Sequence, residues 1–419
     1  MSTKQPKEGK TAHASGAGVQ GPERTRMPLA VYFLAVSIFI ICTAELLPMG
    51  LLPQIARDFN MNVSSAGLLI TVYALGVAIG GPLITAATGR IEKKKLLIGL
   101  LLLFVVGSLI SAVTTNYYLL MVGRLLCSFS HGTLVGVAIV VVQRLAPPGK
   151  EGSAISYLTV GLTVATILGV PVGTFIGNSY GWRMSFYALT IAAAICVIGM
   201  AWLVPTIKSG KAVGMAKQTR EIFRAKPLVA LMTTVFSSGG LFAGYTYIAP
   251  YLEEITGFTP TAVSPIMLAF GIGSAIGNIA SGKLADKGLM KTLLGSLAAM
   301  IITMTAFALL GQVPILAVIF SFLWGLTGFA IVTPLNMLVL RKAGDAADLA
   351  ASLNISAFNV GSAIGAAVGG VAINTALGLR GAPLSGVAIG LIGVLFAFTL
   401  IWMDRKSAWQ QKTVSKSST

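Results

Sequence analysis

Charge is what this sequence lacks first. Only 10% of its 419 residues are Asp, Glu, Lys or Arg, against about 25% in an ordinary soluble domain, so most of the chain must face something other than water. Acidic groups are the scarcer sign, 13 against 30 Lys and Arg. There are two histidines and three cysteines, and no clustered His and Cys set with the spacing of a metal site, so no bound metal or cofactor is expected. Cys42, Cys127 and Cys196 all fall inside apolar runs, which argues against a disulfide framework and leaves them as small packing residues. Long polar loops are missing too. Without them there is no room for a catalytic domain, and no nucleophile stands with a base and an orienting group, so an enzyme is disfavoured.

What is present is apolar sequence, 55% of the chain. It falls into twelve runs of about the length a helix needs to cross the hydrocarbon core. They lie near 29–52, 64–86, 96–114, 117–142, 153–177, 184–204, 228–251, 262–284, 290–310, 313–340, 350–376 and 384–403, numbered here as spans 1 to 12. A helix satisfies its backbone hydrogen bonds internally, whereas an open sheet edge in lipid cannot. The expected fold class is therefore all-α, a polytopic protein of the bilayer with 12 transmembrane helices.

The net charge of +17 invites a nucleic-acid reading that its distribution refuses. With the N-terminus in the cytoplasm, 26 of the 30 Lys and Arg fall in inner segments, three (Arg57, Arg183, Arg380) in outer loops, and Arg124 inside span 4. That is the positive-inside asymmetry, so both termini are expected in the cytoplasm and the basic balance reflects topology. No basic surface interleaved with aromatics exists outside short loops, and no nucleic-acid partner is expected. Residues 1–28 read as a disordered cytoplasmic tail, rich in Gly, Lys and Thr. The first apolar run is long enough to span and lacks a small-residue cleavage site, which argues against a signal peptide.

The longest basic connector, 205–227, divides the spans into two sets of six, at 29–204 and 228–403, with a second tail at 404–419. Punctuation recurs in each set. GPLITAATGRIEKKKLL (81–97) closes span 2 as SGKLADKGLMKTLL (281–294) closes span 8, and glycine-rich stretches mark spans 5 and 11. Internal duplication of this kind is the signature of a secondary transporter built from two pseudo-symmetric six-helix bundles around a site at mid-membrane.

Several stretches resemble the major facilitator superfamily, and within it the twelve-span drug:proton antiporter branch with its arabinose and sugar efflux permeases. They are TAELLPMGLLP in span 1, the GR...SHG run of 123–132, GVPVGTFIGNSYGWRMSF (169–186), GLFAGYTYIAPYL (240–252), GNIASGKLADK (277–287) and SLNISAFNVGSAIGAAVGG (352–370). The resemblance covers residues 29–403. It implies the major facilitator fold, a monomer in a bacterial inner (plasma) membrane, and sugar transport or multidrug resistance as the setting. It also marks Gly89, Arg90, Gly282, Asp286 and Lys287 as gating or structural motif residues, with Ala86 where the superfamily usually carries Asp. Gly169, Pro171 and Gly173 resemble the antiporter motif; physically, the proline removes a helix donor and the glycines allow close packing.

An ionisable group inside a span is a functional candidate, since a mid-bilayer charge costs about 2.5–3.5 kcal/mol on insertion scales. Glu45 is the one carboxylate deep in a span. Seven residues separate it from the outer end of span 1, roughly 10 Å at about 1.5 Å per residue. Span 4 runs the other way and carries Arg124 at a similar depth, with His131 two turns deeper on the same face. Burial and a guanidinium push a carboxylate in opposite directions, which suits a group that takes up and releases a proton. The expectation is Glu45 as proton acceptor, Arg124 as its counter-ion, and His131 as a second protonatable group or a ligand to substrate. The bland alternatives are a static ion pair and a packed neutral imidazole.

Substrate-facing candidates are Tyr73, Tyr245, Tyr247, Asn336, Asn354 and Asn359 as polar groups, with Phe33 and Trp324 as flat apolar surface. Amides and phenols suit an uncharged hydroxylated solute such as a sugar or nucleoside, or a neutral amphipathic drug. GNIASGK (277–283) matches the start of a phosphate loop, but Leu284 stands where Ser or Thr is needed and no strand precedes it. ATP is therefore not expected as a partner. The reading is a proton-coupled antiporter working by alternating access, the alternative a passive facilitator or channel-like uniporter.

Overall fold

The computed structural model describes residues 27–206 and 222–417. Most of the amino-terminal tail and the centre of the 205–227 connector lie outside the described residues. Among the described residues every regular element is a helix, and eleven helices are long and apolar enough to cross a membrane. One of them, Pro260–Leu310, is 51 residues long and leaves helical geometry at Gly288, so it makes two crossings. These are spans 8 and 9, and the total is twelve, as the apolar runs predict.

Local sequence explains several ends. Asn62 caps span 2 by accepting from the Ser65 N–H at 2.7 Å, and Asn116 caps span 4 by accepting from Tyr118 and Leu119 at 2.8 and 3.2 Å. Spans 8 and 10 begin on Pro260 and Pro314, where the missing N–H costs nothing. Helical geometry outlasts the apolar runs at several places. Span 1 continues to Asp58, span 7 reaches Glu254 after a break near Thr246, and the last helix runs on to Ser417.

The two halves repeat one packing scheme. In the first, span 1 lies against spans 5 and 6, span 2 against span 4, and span 3 against span 6; in the second, span 7 lies against 11 and 12, span 8 against 10, and span 9 against 12. Between the halves, span 2 packs along span 11 and span 5 crosses span 8.

One end of the molecule is tied across the halves. Ser64 Oγ donates to the Gly370 carbonyl at 2.6 Å, and the Tyr247 hydroxyl donates to Ala366 at 2.9 Å while resting on Gly67. Gln54 Nε2 donates to Asn178 Oδ1 at 2.6 Å, Asn178 Nδ2 donates to the Pro260 carbonyl, and Arg57 reaches Glu253 at 3.4 Å. All of these lie where span 1 ends. At the end where span 1 begins, the pairs Lys226–Asp404, Lys342–Asp404 and Lys95–Glu92 each stay within one half.

Candidate functional site

Spans 1, 2 and 4 bring the first-half candidates together. Glu45 Oε2 stands 3.8 Å from His131 Nδ1, and the Tyr73 hydroxyl stands 3.1 Å from that same nitrogen. The imidazole therefore faces a carboxylate and a phenol at one atom. The Glu45 side chain keeps 23% of its surface accessible although it sits in mid-span.

Arg124 is fully buried beside this group. Its guanidinium lies 4.1 Å from the centre of the Tyr73 ring, a cation–π contact. It donates from Nη1 to the Ala44 carbonyl at 2.6 Å and from Nη2 to the Glu45 carbonyl at 3.3 Å. The sequence leads one to expect the carboxylate itself as its mate. Instead the partner is the backbone that carries the carboxylate, and the carboxylate turns to His131.

In the second half the Asn candidates form a chain. Thr234 Oγ1 donates to Asn354 Oδ1 at 2.7 Å, and Asn354 Nδ2 donates to Asn336 Oδ1 at 2.6 Å. Asn336 is exposed, so its own amide is the open end of a string joining spans 7, 11 and 10. Asn359 uses its Nδ2 on the Ile355 carbonyl at 3.0 Å, and its Oδ1 is buried with no partner. Tyr245 stacks on Phe270 with centroids 4.2 Å apart, and Phe270 meets Trp324 edge-on at 6.5 Å. Thr234 and Phe270 went unremarked in the sequence. A Thr in an apolar run carries no signal until its partner is known.

Span 5 is shaped by Pro171. Residues Ala165–Gly169 form a turn of π-helix, in which the Val170 N–H reaches back to the Ala165 carbonyl. The next N–H in that pattern would serve Thr166, and Pro171 has none. The Thr166 carbonyl instead lies at the crossing with span 8, 2.5 Å from where a Cβ on Gly271 would stand. Gly169 and Gly173 lie against Thr43 and Leu47, so the GVPVG stretch seats span 5 on the turn of span 1 that holds Glu45.

Four groups of candidates stand apart from this cluster. The Phe33 ring leans on Gly199 of span 6. Tyr247 belongs to the tied end described above. Trp324 is fully buried among Gly244, Phe270 and Phe307, with its indole N–H unpartnered, so it presents no face to a solute. Gly89 and Arg90 lie in an exposed turn, Asp286 and Lys287 are exposed on the last helical turn before Gly288, and a Cβ on Gly282 would stand 3.5 Å from Thr333 across the span 8–10 contact. Among the described residues no three of His, Cys, Asp and Glu converge as a metal site would need.

Comparison with known proteins gives a consistent picture. The family model described as Major Facilitator Superfamily matches residues 34–354. The inner membrane transport protein YdhP of Escherichia coli is 39% identical over 365 residues, covering 87% of this chain and 94% of its own. The putative transporter AraJ of Escherichia coli is 31% identical over 353 residues, 84% of this chain and 89% of its own. Among solved structures, a D-xylose-proton symporter superposes with a TM-score of 0.70 at 16% identity, covering 89% of this chain and 96% of its own. A nucleoside transporter, NupG, gives 0.70 at 14%, covering 90% and 99%. At those identities the structures speak for the fold alone.

Proposed function

Because the chain belongs to the major facilitator superfamily, and so is a multi-pass membrane transporter, we propose that it is a proton-coupled antiporter exporting a small neutral solute by alternating access. The observation that carries this reading is the Glu45 carboxylate, 23% accessible in mid-span and 3.8 Å from His131. A carboxylate that water can reach from one side, next to an imidazole and a phenol, can take a proton there and yield it when access moves to the other side. Glu45 is the proton acceptor, His131 the second protonatable group, and Tyr73 holds the imidazole. Arg124 keeps a fixed positive charge close by.

The amide chain ending at Asn336 supports a neutral, hydroxylated or amphipathic substrate, since amides offer donors and acceptors but no charge to bind an ion. Export is supported by the span 5 stretch GVPVG and its antiporter resemblance. If both termini are cytoplasmic, the tied end faces outward, which supports loading from the cytoplasm, as an exporter requires.

The test uses a host stripped of exporters. Accumulation of labelled arabinose, ribonucleosides and chloramphenicol is measured with and without a protonophore, for the native chain and for Glu45→Gln. The expected outcome is that expression lowers accumulation of one of these solutes, and that the protonophore or Glu45→Gln returns it to the host's level. Undiminished uphill export by Glu45→Gln would overturn the reading. Gradient-independent equilibration by both proteins would establish the facilitator instead.

A further inference from the structure

Pro48 lies three residues after Glu45 and has no N–H. In a helix that N–H would serve the carbonyl four residues back, which is Ala44. Span 1 nevertheless runs unbroken through Pro48. The carbonyl that proline leaves bare is the one that takes Arg124 Nη1 at 2.6 Å, and the next, on Glu45, takes Nη2 at 3.3 Å. Among the described residues no carboxylate lies within ion-pair distance of this guanidinium, and its face is covered by the Tyr73 ring. Such a geometry is not that of a counter-ion.

We propose that Arg124 is a positioning residue: it supplies from span 4 the hydrogen-bond donor that Pro48 withholds from the Ala44 carbonyl, reaches the next carbonyl with its second nitrogen, and so holds the turn bearing Glu45 where the carboxylate meets His131. Proline and arginine then form a matched pair, eighty residues apart in sequence from Ala44 to Arg124. A planar fork is needed, because two successive carbonyls must be reached at once, and an ammonium presents one point of charge. Restoring the N–H at position 48 should make the fork dispensable.

The experiment is a double-mutant cycle on the full chain purified in detergent. Unfolding is followed with a thiol-reactive dye, since Cys42, Cys127 and Cys196 are all buried in the folded chain. Arg124→Gln and Arg124→Lys are each made alone and with Pro48→Ala. Both are expected to lower the unfolding midpoint by several degrees in the native background, the charge-keeping lysine included, and by less than half as much beside Pro48→Ala. Equal losses in the two backgrounds would overturn the proposal. So would an Arg124→Lys protein as stable as the native one, or a failure to fold in both backgrounds.

A second readout concerns Glu45 and rests on the antiport reading. The pH midpoint of proton-driven export is expected to move in Arg124→Lys and to return in the double variant. A midpoint that stays put while stability falls would reduce Arg124 to a strut between helices and overturn its positioning of Glu45. The unfolding cycle needs no transport, so a failure of the antiport reading is separable from a failure of this one.

Discussion

Tyr73 serves two neighbours with different parts of one side chain: its hydroxyl meets His131 Nδ1 at 3.1 Å and its ring lies 4.1 Å from the Arg124 guanidinium. The two uses can be separated. Tyr73→Phe removes one hydrogen bond, about 0.5–1.5 kcal/mol, and keeps the ring, so transport is expected to fall roughly two- to ten-fold with little change in unfolding midpoint. Tyr73→Leu also removes the cation–π contact, about 2 kcal/mol where desolvated, and is expected to lower both transport and midpoint. Initial export rates and thermal unfolding of the two variants check the order; equal behaviour would show that the ring contributes nothing beyond the hydroxyl. At this scale the charged candidates were legible, since Glu45, Arg124 and His131 each break an apolar run and the last two share a helix face. Their pairing was not. A carbonyl freed by Pro48 is invisible until the arginine is seen on it, and composition gives no hint that Glu45 meets an imidazole. Aromatic residues were least legible, because a ring in a span suits a core, a lipid face or a cavity equally, and Phe33 and Trp324 lie in packed contacts.

At the scale of elements, the crossing of spans 5 and 8, where the two halves meet, is sensitive to a single methyl group. A Cβ on Gly271 would meet the Thr166 carbonyl oxygen at 2.5 Å and the Ile167 Cα at 2.9 Å, both backbone. Neither can step aside without moving a helix of the other half. Gly173 is the contrasting case: its Cβ would meet a Leu47 methyl at 2.7 Å, and a leucine end can change rotamer. Gly271→Ala is therefore expected to cost about 1–3 kcal/mol, as overpacking does, and Gly173→Ala clearly less. Unfolding midpoints measured side by side check this, and equal losses would mean that the crossing yields. The proline of span 5 and its glycines were plain in the sequence, as were the missing donor and the close packing that follow from them. The π-turn and its bare Thr166 carbonyl were not, since they depend on which helix lies opposite. Spans 8 and 9 joined as one helix-like element were hidden for the reverse reason: the basic turn at Lys283–Lys287 reads as a loop, yet only Gly288 leaves helical geometry.

The whole molecule repeats its packing, span 1 on 5 as 7 on 11 and span 2 on 4 as 8 on 10, which the doubled punctuation of the sequence foretold. What duplication could not foretell is which end would be tied, because the two arrangements of an alternating-access transporter share every span and differ in how the halves meet. The ties found here rank by burial. Arg57 is 61% exposed in its pair with Glu253, and an exposed pair contributes about 0–1 kcal/mol. Asn178 accepts from Gln54 within its own half and donates to the Pro260 carbonyl of the other, so one hydrogen bond crosses, about 0.5–1.5 kcal/mol. Asn178→Ala is thus expected to raise the population open at that end by roughly two- to ten-fold, and Arg57→Gln by less. A cysteine placed at Ser64, whose hydroxyl is bonded to Gly370 in the tied state, reports the change through labelling by a membrane-impermeant thiol reagent, over a low background from the three buried native cysteines. Faster labelling in Asn178→Ala than in Arg57→Gln, on the side away from the N-terminus, is the expected result; the opposite order would mean that the charge pair, not the amide, holds the halves together.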